Sequence, residues 1–259
     1  MSSSVAHPSS STGNSSFEEY TRTLDGVHFD ELAKGSSKAP VCTDCHGSHG
    51  VTAVNGSHTA IAQTCSNCHA EIAAAYSESV HGASMGSQNP DAPVCTTCHG
   101  VHNIREATTA TFRRDSVDLC VKCHANKQLM DKYDVSSAVT KTYLDDFHGK
   151  TVGFYQDEDS SVWPGVAVCT DCHGTHDIKK ADDPGSRVVK ANLTETCRRC
   201  HTDASPSFPA AWLSHYEPSL NKHPLVFLIL QYYKFLIPLM VVGLALNVSL
   251  DLWRVARNR

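Results

Sequence analysis

Cys42-Thr43-Asp44-Cys45-His46 is the first of six copies of one five-residue phrase, the others running Cys65 to His69, Cys95 to His99, Cys120 to His124, Cys169 to His173 and Cys197 to His201. These copies use all twelve cysteines of the 259-residue chain. Two residues between thiols, with His directly after the second, is the spacing of a c-type haem attachment site. The thiols of each pair, Cys42 and Cys45, Cys65 and Cys68, Cys95 and Cys98, Cys120 and Cys123, Cys169 and Cys172, Cys197 and Cys200, would form thioethers to one porphyrin edge. The following imidazole, from His46, His69, His99, His124, His173 or His201, would supply the proximal iron ligand. Six covalently attached haem c groups are the expectation. Zinc ribbons also use paired CxxC knuckles, but zinc does not require His after every second Cys. A secreted disulfide framework would scatter its cysteines, and a thioredoxin-like pair needs a βαβ setting that is missing here.

Around the phrases the sequence repeats. His28 leads through Ala39-Pro40-Val41 into the first phrase and on to His69; His81-Gly82 leads through Ala92-Pro93-Val94 to His99 and on to His124; His148-Gly149 leads through Val168 to His173 and on to His201. Each copy holds two phrases. The odd-numbered ones read CHGxH, which adds His49, His102 and His176, whereas the even-numbered ones lack that second imidazole. A His three residues after a proximal ligand cannot fold back over the same ring, so this set is expected to ligate neighbouring haems. His28, His81 and His148 form a second equivalent set, joined by His215 in Trp212-Leu213-Ser214-His215. That makes seven candidates for six distal positions, with one redundant at an end of the array. His7, His58 and His223 fall outside the repeat, as do the surroundings of Met85 and Met130. Gly after His81 and His148 reads as a helix end, with the His at the tip of a helix launched from the preceding phrase.

The apolar share is 41%, much of it in the last few dozen residues. The remainder is poor in Leu, Ile and Phe, so its core is expected to be porphyrin wrapped by short helices and long loops. Ala70 to Tyr76 is a strong helix former, and Lys127 to Leu144 a longer, less regular one. The fold class is therefore mainly α with extensive loops, three di-haem repeats over residues 21-80, 81-147 and 148-216, and an anchor over 217-259. Residues 1-20 read as a disordered, Ser-rich leader. Met1 to Ser16 lacks the basic and apolar regions of a secretory signal, leaving either a trimmed signal or another export route. Within the third copy an insertion, Thr151 to Pro164, carries Asp157-Glu158-Asp159 ahead of Val162-Trp163-Pro164, and reads as a solvated loop or a docking loop. A net charge of −5, before haem propionates, makes nucleic acid an unsuitable partner.

Leu225 to Leu250 passes the length test for a membrane helix, although Gln231, Lys234 and Pro238 interrupt it. Lys222, Tyr232 and Tyr233 fit one interface, and Trp253 with Arg254, Arg257 and Arg259 the other, placing the C-terminus in the cytoplasm. His223, Lys234 and Asp251 are the polar residues from which a quinol site or a partner contact would be built.

The paired phrases with CHGxH, from His28 to His215, resemble the low-potential multihaem cytochromes c of respiring bacteria. The resemblance implies a haem domain in the periplasm, tethered to the inner membrane by one pass. With the anchor it is similar to the quinol dehydrogenase cytochromes of nitrate and nitrite respiration, which carry theirs at the amino end. An anchor at the carboxyl end points instead to a separate cytochrome b-type or other quinol-oxidising membrane subunit. The expected role is an electron relay without substrate chemistry of its own, passing electrons to a periplasmic cytochrome or iron-sulfur protein. The rival is a multihaem reductase of nitrogen or sulfur oxyanions, which would need an open iron site.

Overall fold

The computed structural model describes residues 15–50, 57–155, 165–211, 215, 217–221 and 223–258. Among them the regular structure is helical, without strands. Two units divide the chain, Met1–Pro209 and Ala210–Arg259.

In the first unit, α1 (Ser15–Thr23) and α2 (Val27–Ala33) precede α3 (Cys42–His46), a single turn made of the first phrase itself. The second phrase ends α4 (His58–Ser66), after which the chain runs into α5 (Ala70–Ser77) and α6 (Val80–Gly86). The third phrase is α7 (Cys95–His99), and the fourth is the last turn of α8 (Ala110–His124). Then follow α9 (Lys127–Met130), α10 (Val139–Asp145) and α11 (Phe147–Phe154). The fifth phrase is α12 (Cys169–His173), and the sixth closes α13 (Leu193–Arg198).

Two small apolar clusters hold these turns together. Met85, Ala92 and Val94 pack with Ile61, Ala62 and Tyr76. Val117, Tyr143, Val152 and Val168 pack with Val121, Val166 and Cys169. Five positions are the same in both: three before an even phrase (Ala62, Val117), the tyrosine (Tyr76, Tyr143), four after a candidate distal His (Met85, Val152), and three and one before an odd phrase (Ala92 and Val94, Val166 and Val168). In both clusters the tyrosine hydroxyl donates to a carbonyl just ahead of the next phrase, Pro93 O for Tyr76 and Ala167 O, at 3.0 Å, for Tyr143. Burial pushes both phenols up, Tyr76 to about 12, so they remain donors at ordinary pH. Met85 and Met130 are buried among protein side chains.

Several expectations change here. The leader does not extend to residue 20: α1 starts at Ser15, with Glu18 in its first turn and Arg22 in its last complementing the helix dipole. Residues 1–14, with His7, lie outside the described set, as do Trp212 to Ser214, Lys222 and the acidic run of the insertion; its first residues, Thr151 to Phe154, belong to α11. The segment from Lys127 is broken at Asp134, whose φ of 53° ends a 3₁₀ turn in the left-handed region. His81-Gly82 and His148-Gly149 open helices instead of closing them. Ser79 and Asp146 are the N-caps, accepting from Gly82 N and Gly149 N at 3.0 Å each. Gly is required because a Cβ at either position would overlap the main chain of the preceding helix, at Tyr76 O and Tyr143 O.

In the second unit α14 (Pro224–Arg257) runs straight through Pro238. Its mean hydropathy reaches 2.0, and it is the one helix among the described residues long and apolar enough to cross a membrane. At 1.5 Å per residue it is about 50 Å long, more than the roughly 30 Å hydrocarbon core. Its side chains are exposed along its length, and Arg257 lies over the Trp253 ring, 5.7 Å from its centroid.

Candidate functional site

Each phrase begins in a helix, and in the second and sixth, whose helices end at Ser66 and Arg198, His69 N and His201 N complete the turn by donating to Cys65 O and Cys197 O at 2.9 Å, so the two thiols, three residues apart, share one face. In the odd phrases the residue before the second Cys ties the turn to the chain that enters it. Asp44 accepts from Val41 N at 2.7 Å, Thr97 from Val94 N at 3.0 Å, and Asp171 from Val168 N at 2.7 Å. Asp171 also receives Arg113 of α8 at 2.8 Å. Removing it by Asp171→Ala strands the buried amide of Val168 and the guanidinium of Arg113, whose Nε is already buried without a partner. A loss of about 1–3 kcal/mol is expected, seen as a lower denaturant midpoint of the full-length protein; an unchanged midpoint would refute it.

The difference between odd and even phrases lies in the next residue. Gly47, Gly100 and Gly174 have φ of 75°, 82° and 86° with ψ near the extended value, a conformation that is essentially glycine's alone. The chain therefore leaves the turn abruptly and carries the CHGxH imidazole away from its own phrase. After His69 the residue is Ala70, and the chain continues as α5.

Where these imidazoles go is the main finding. His102 lies against His46 with ring centroids 6.0 Å apart, and His176 against His99 at 6.1 Å. His28 faces His69 at 6.2 Å, His81 faces His124 at 6.3 Å, and His148 faces His201 at 6.3 Å. These rings are too far apart to touch. One metal bonded to both imidazoles at about 2.0 Å would hold their centroids about 6.2 Å apart. Among the described residues, at least five of the six phrase histidines thus face a second imidazole at the separation that two ligands of one metal ion would have. Odd phrases draw their partner from the next sequence repeat, even phrases from their own.

Burial, with a neighbouring imidazole where one lies close, pushes His28, His81, His99, His124 and His176 below the usual histidine range. They are neutral at ordinary pH, the form a metal ligand must take. His49 is not brought to a proximal residue among the described ones; it is exposed, with Nδ1 3.0 Å from Ser48 Oγ. His215 belongs to the second unit. His58 starts α4 and His223 is the N-cap of α14. Among the described residues no three of His, Cys, Asp and Glu converge as a structural zinc site requires.

The thiols show which phrases are neighbours. The close thiols of Cys65 and Cys95 push Cys65 up and Cys95 down to about 6, and those of Cys120 and Cys169 push Cys120 up and Cys169 down. Cys45 is pushed up by burial and by nearby Asp44 and Cys68, Cys98 by burial and Cys123, and Cys172 to about 11 by burial, Asp171 and Cys197. Successive phrases are therefore adjacent in space, in chain order.

Residues 35–125, less than half of the chain, match the cytochrome c3 family model. That stretch contains the first four phrases. No curated protein and no solved structure gives a match. The family match supports a multihaem cytochrome c, an electron-transfer protein with covalently bound haem c. The thiol pairs and facing imidazoles described above fit that group.

Proposed function

We propose that the chain is a membrane-tethered hexahaem cytochrome of a respiratory complex, built of three di-haem repeats, relaying electrons between a quinol-oxidising membrane module and periplasmic acceptors. The observation that carries this reading is the set of five imidazole pairs at 6.0–6.3 Å. Haem c, when bound, supplies reversible one-electron chemistry at iron. The cysteines fix each group to its own turn. His46, His69, His99, His124 and His201 with their partners would hold the iron with two imidazoles each and would keep small substrates off it. Two imidazoles without a thioether ligand favour low potentials.

The adjacency of successive phrases supports a single file in chain order, with the sixth phrase ending 23 residues before α14 begins. That helix is the proposed inner-membrane anchor, and Arg254, Arg257 and Arg259 favour a cytoplasmic end, with the haem domain in the periplasm. Suitable partners are a cytochrome b-type subunit within the lipid and a periplasmic cytochrome or iron-sulfur protein. Because five phrase histidines each face a second imidazole that would close the iron to substrate, the reductase reading is less well supported.

The full-length protein purified from membranes should carry six added macrocycles by intact mass. A redox titration with a quinol as donor and the partner subunit present should reduce the low-spin iron in several resolved steps. Fewer macrocycles, or turnover of nitrite, hydroxylamine or a sulfur oxyanion at high-spin iron, would overturn the proposal.

A further inference from the structure

One imidazole of the five pairs has a carboxylate behind it. Glu19 of α1 lies 83 residues from His102 in sequence, and its Oε2 hydrogen-bonds His102 Nδ1. The side chains are 30% and 29% exposed, so the contact is partly withdrawn from water. With Nδ1–H donated to the carboxylate, Nε2 keeps its lone pair free, and the same ring faces His46 at 6.0 Å. Arg22 approaches the other oxygen of Glu19 at 3.6 Å. The segment is seated firmly, because Val27 N donates to Ile104 O at 2.7 Å and a Cβ on Gly26 would come within 2.9 Å of His102 O. Among the described residues no other imidazole of the five pairs hydrogen-bonds a carboxylate.

We infer that Glu19 is a positioning residue that tunes the site at Cys42–His46: it fixes the tautomer and orientation of His102 and strengthens it as a donor to iron. This rests on the haem reading above. A carboxylate on the far nitrogen makes the imidazole more basic and adds negative charge near the metal, and both stabilise the ferric state. The first site of the file is thereby given a lower potential than it would otherwise have, a bias placed from outside the repeat by a helix that precedes it. Among the described residues the other four pairs have no hydrogen-bonded carboxylate, so this effect falls on one end.

The test is a redox titration of the full-length holoprotein with parallel electron paramagnetic resonance, comparing wild type with Glu19→Gln, Glu19→Asp and, on the same helix, Glu18→Gln. Mutating outer-shell partners of metal-bound histidine typically costs about tenfold or more in metal affinity or activity, and an effect of that size is expected on the reduction equilibrium. Glu19→Gln should therefore shift the reduction equilibrium of one site about tenfold towards the ferrous form, about +59 mV for one electron. Glu19→Asp should restore most of the shift, and Glu18→Gln should move nothing. Low-spin signals intact with every midpoint unchanged in Glu19→Gln would overturn the inference, as would an even shift of all sites, the mark of a general structural effect. Failure of the haem reading would show separately, as missing macrocycles in the wild type.

Discussion

Replacing His176 with alanine should open the iron held by His99 and leave the iron held by His173 unchanged, although His176 is three residues from His173 and 77 from His99. The chain turns at Gly174, with φ of 86°, and carries the imidazole to the previous odd phrase, where the two rings are 6.1 Å apart at an interplanar angle of 20°. On the haem reading, loss of that ring would remove a ligand from a half-buried site in which Phe112 stacks on His99 at 5.4 Å. One high-spin ferric signal should appear, carbon monoxide should bind the reduced protein at that site alone, and its midpoint should rise. Adding Cys95→Ala and Cys98→Ala, which deletes that attachment, should abolish the new signal. If it persisted, His176 would serve its own phrase or another, and the one-repeat-back register would be wrong.

That register explains what the sequence could and could not display. The spacing of thiols and imidazole is local, so six turns that each carry two thiols and a His were legible in six five-residue phrases, and Ala70 to Tyr76 proclaimed its helix through its alanines. The two sets of candidate distal residues were visible as repeat positions. Which ring met which proximal residue was not, because it depends on how repeats join. The join is a backbone contact, Val27 N to Ile104 O at 2.7 Å and Val80 N to Ile178 O at 2.9 Å, and backbone hydrogen bonds leave no side-chain signature. His49 looks identical to His102 and His176 in sequence, but it stands in the first copy, where no earlier odd phrase exists to receive it. Glu19 was hidden for a different reason. It sits in a stretch whose serines mask a short amphipathic helix, and its partner is 83 residues away.

The glycine after His81 and His148 was the most misleading signal, and Gly149 yields the second large expected effect. Composition suggested a helix C-terminus, where glycine serves its positive φ; instead Gly149 lies in the first turn of α11, and its missing side chain is what matters. A Cβ there would overlap Tyr143 O, with Tyr143 C at 2.6 Å and Leu144 Cα at 2.7 Å, all main-chain atoms that no rotamer change can move. Gly149→Ala must therefore push α11 off α10. His148 adjoins this residue and faces His201 at 6.3 Å, so even a small displacement breaks its ligation distance. It also dislodges Val152, fully buried in the second apolar cluster. Overpacking of this kind costs about 1–3 kcal/mol or more, and the low-spin character of the sixth site should be lost with it. Gly153, four residues on in the same helix, is the internal control, because nothing lies within 4 Å of its would-be Cβ. Gly153→Ala should be neutral or stabilising by about 0.5–1 kcal/mol, as for glycine to alanine inside a helix. Thermal unfolding and electron paramagnetic resonance of the two variants separate the explanations: equal behaviour would mean that glycine at 149 serves helix propensity alone. Damage confined to Gly149→Ala, with one low-spin site missing, would tie the close helix crossing to the placement of a distal imidazole.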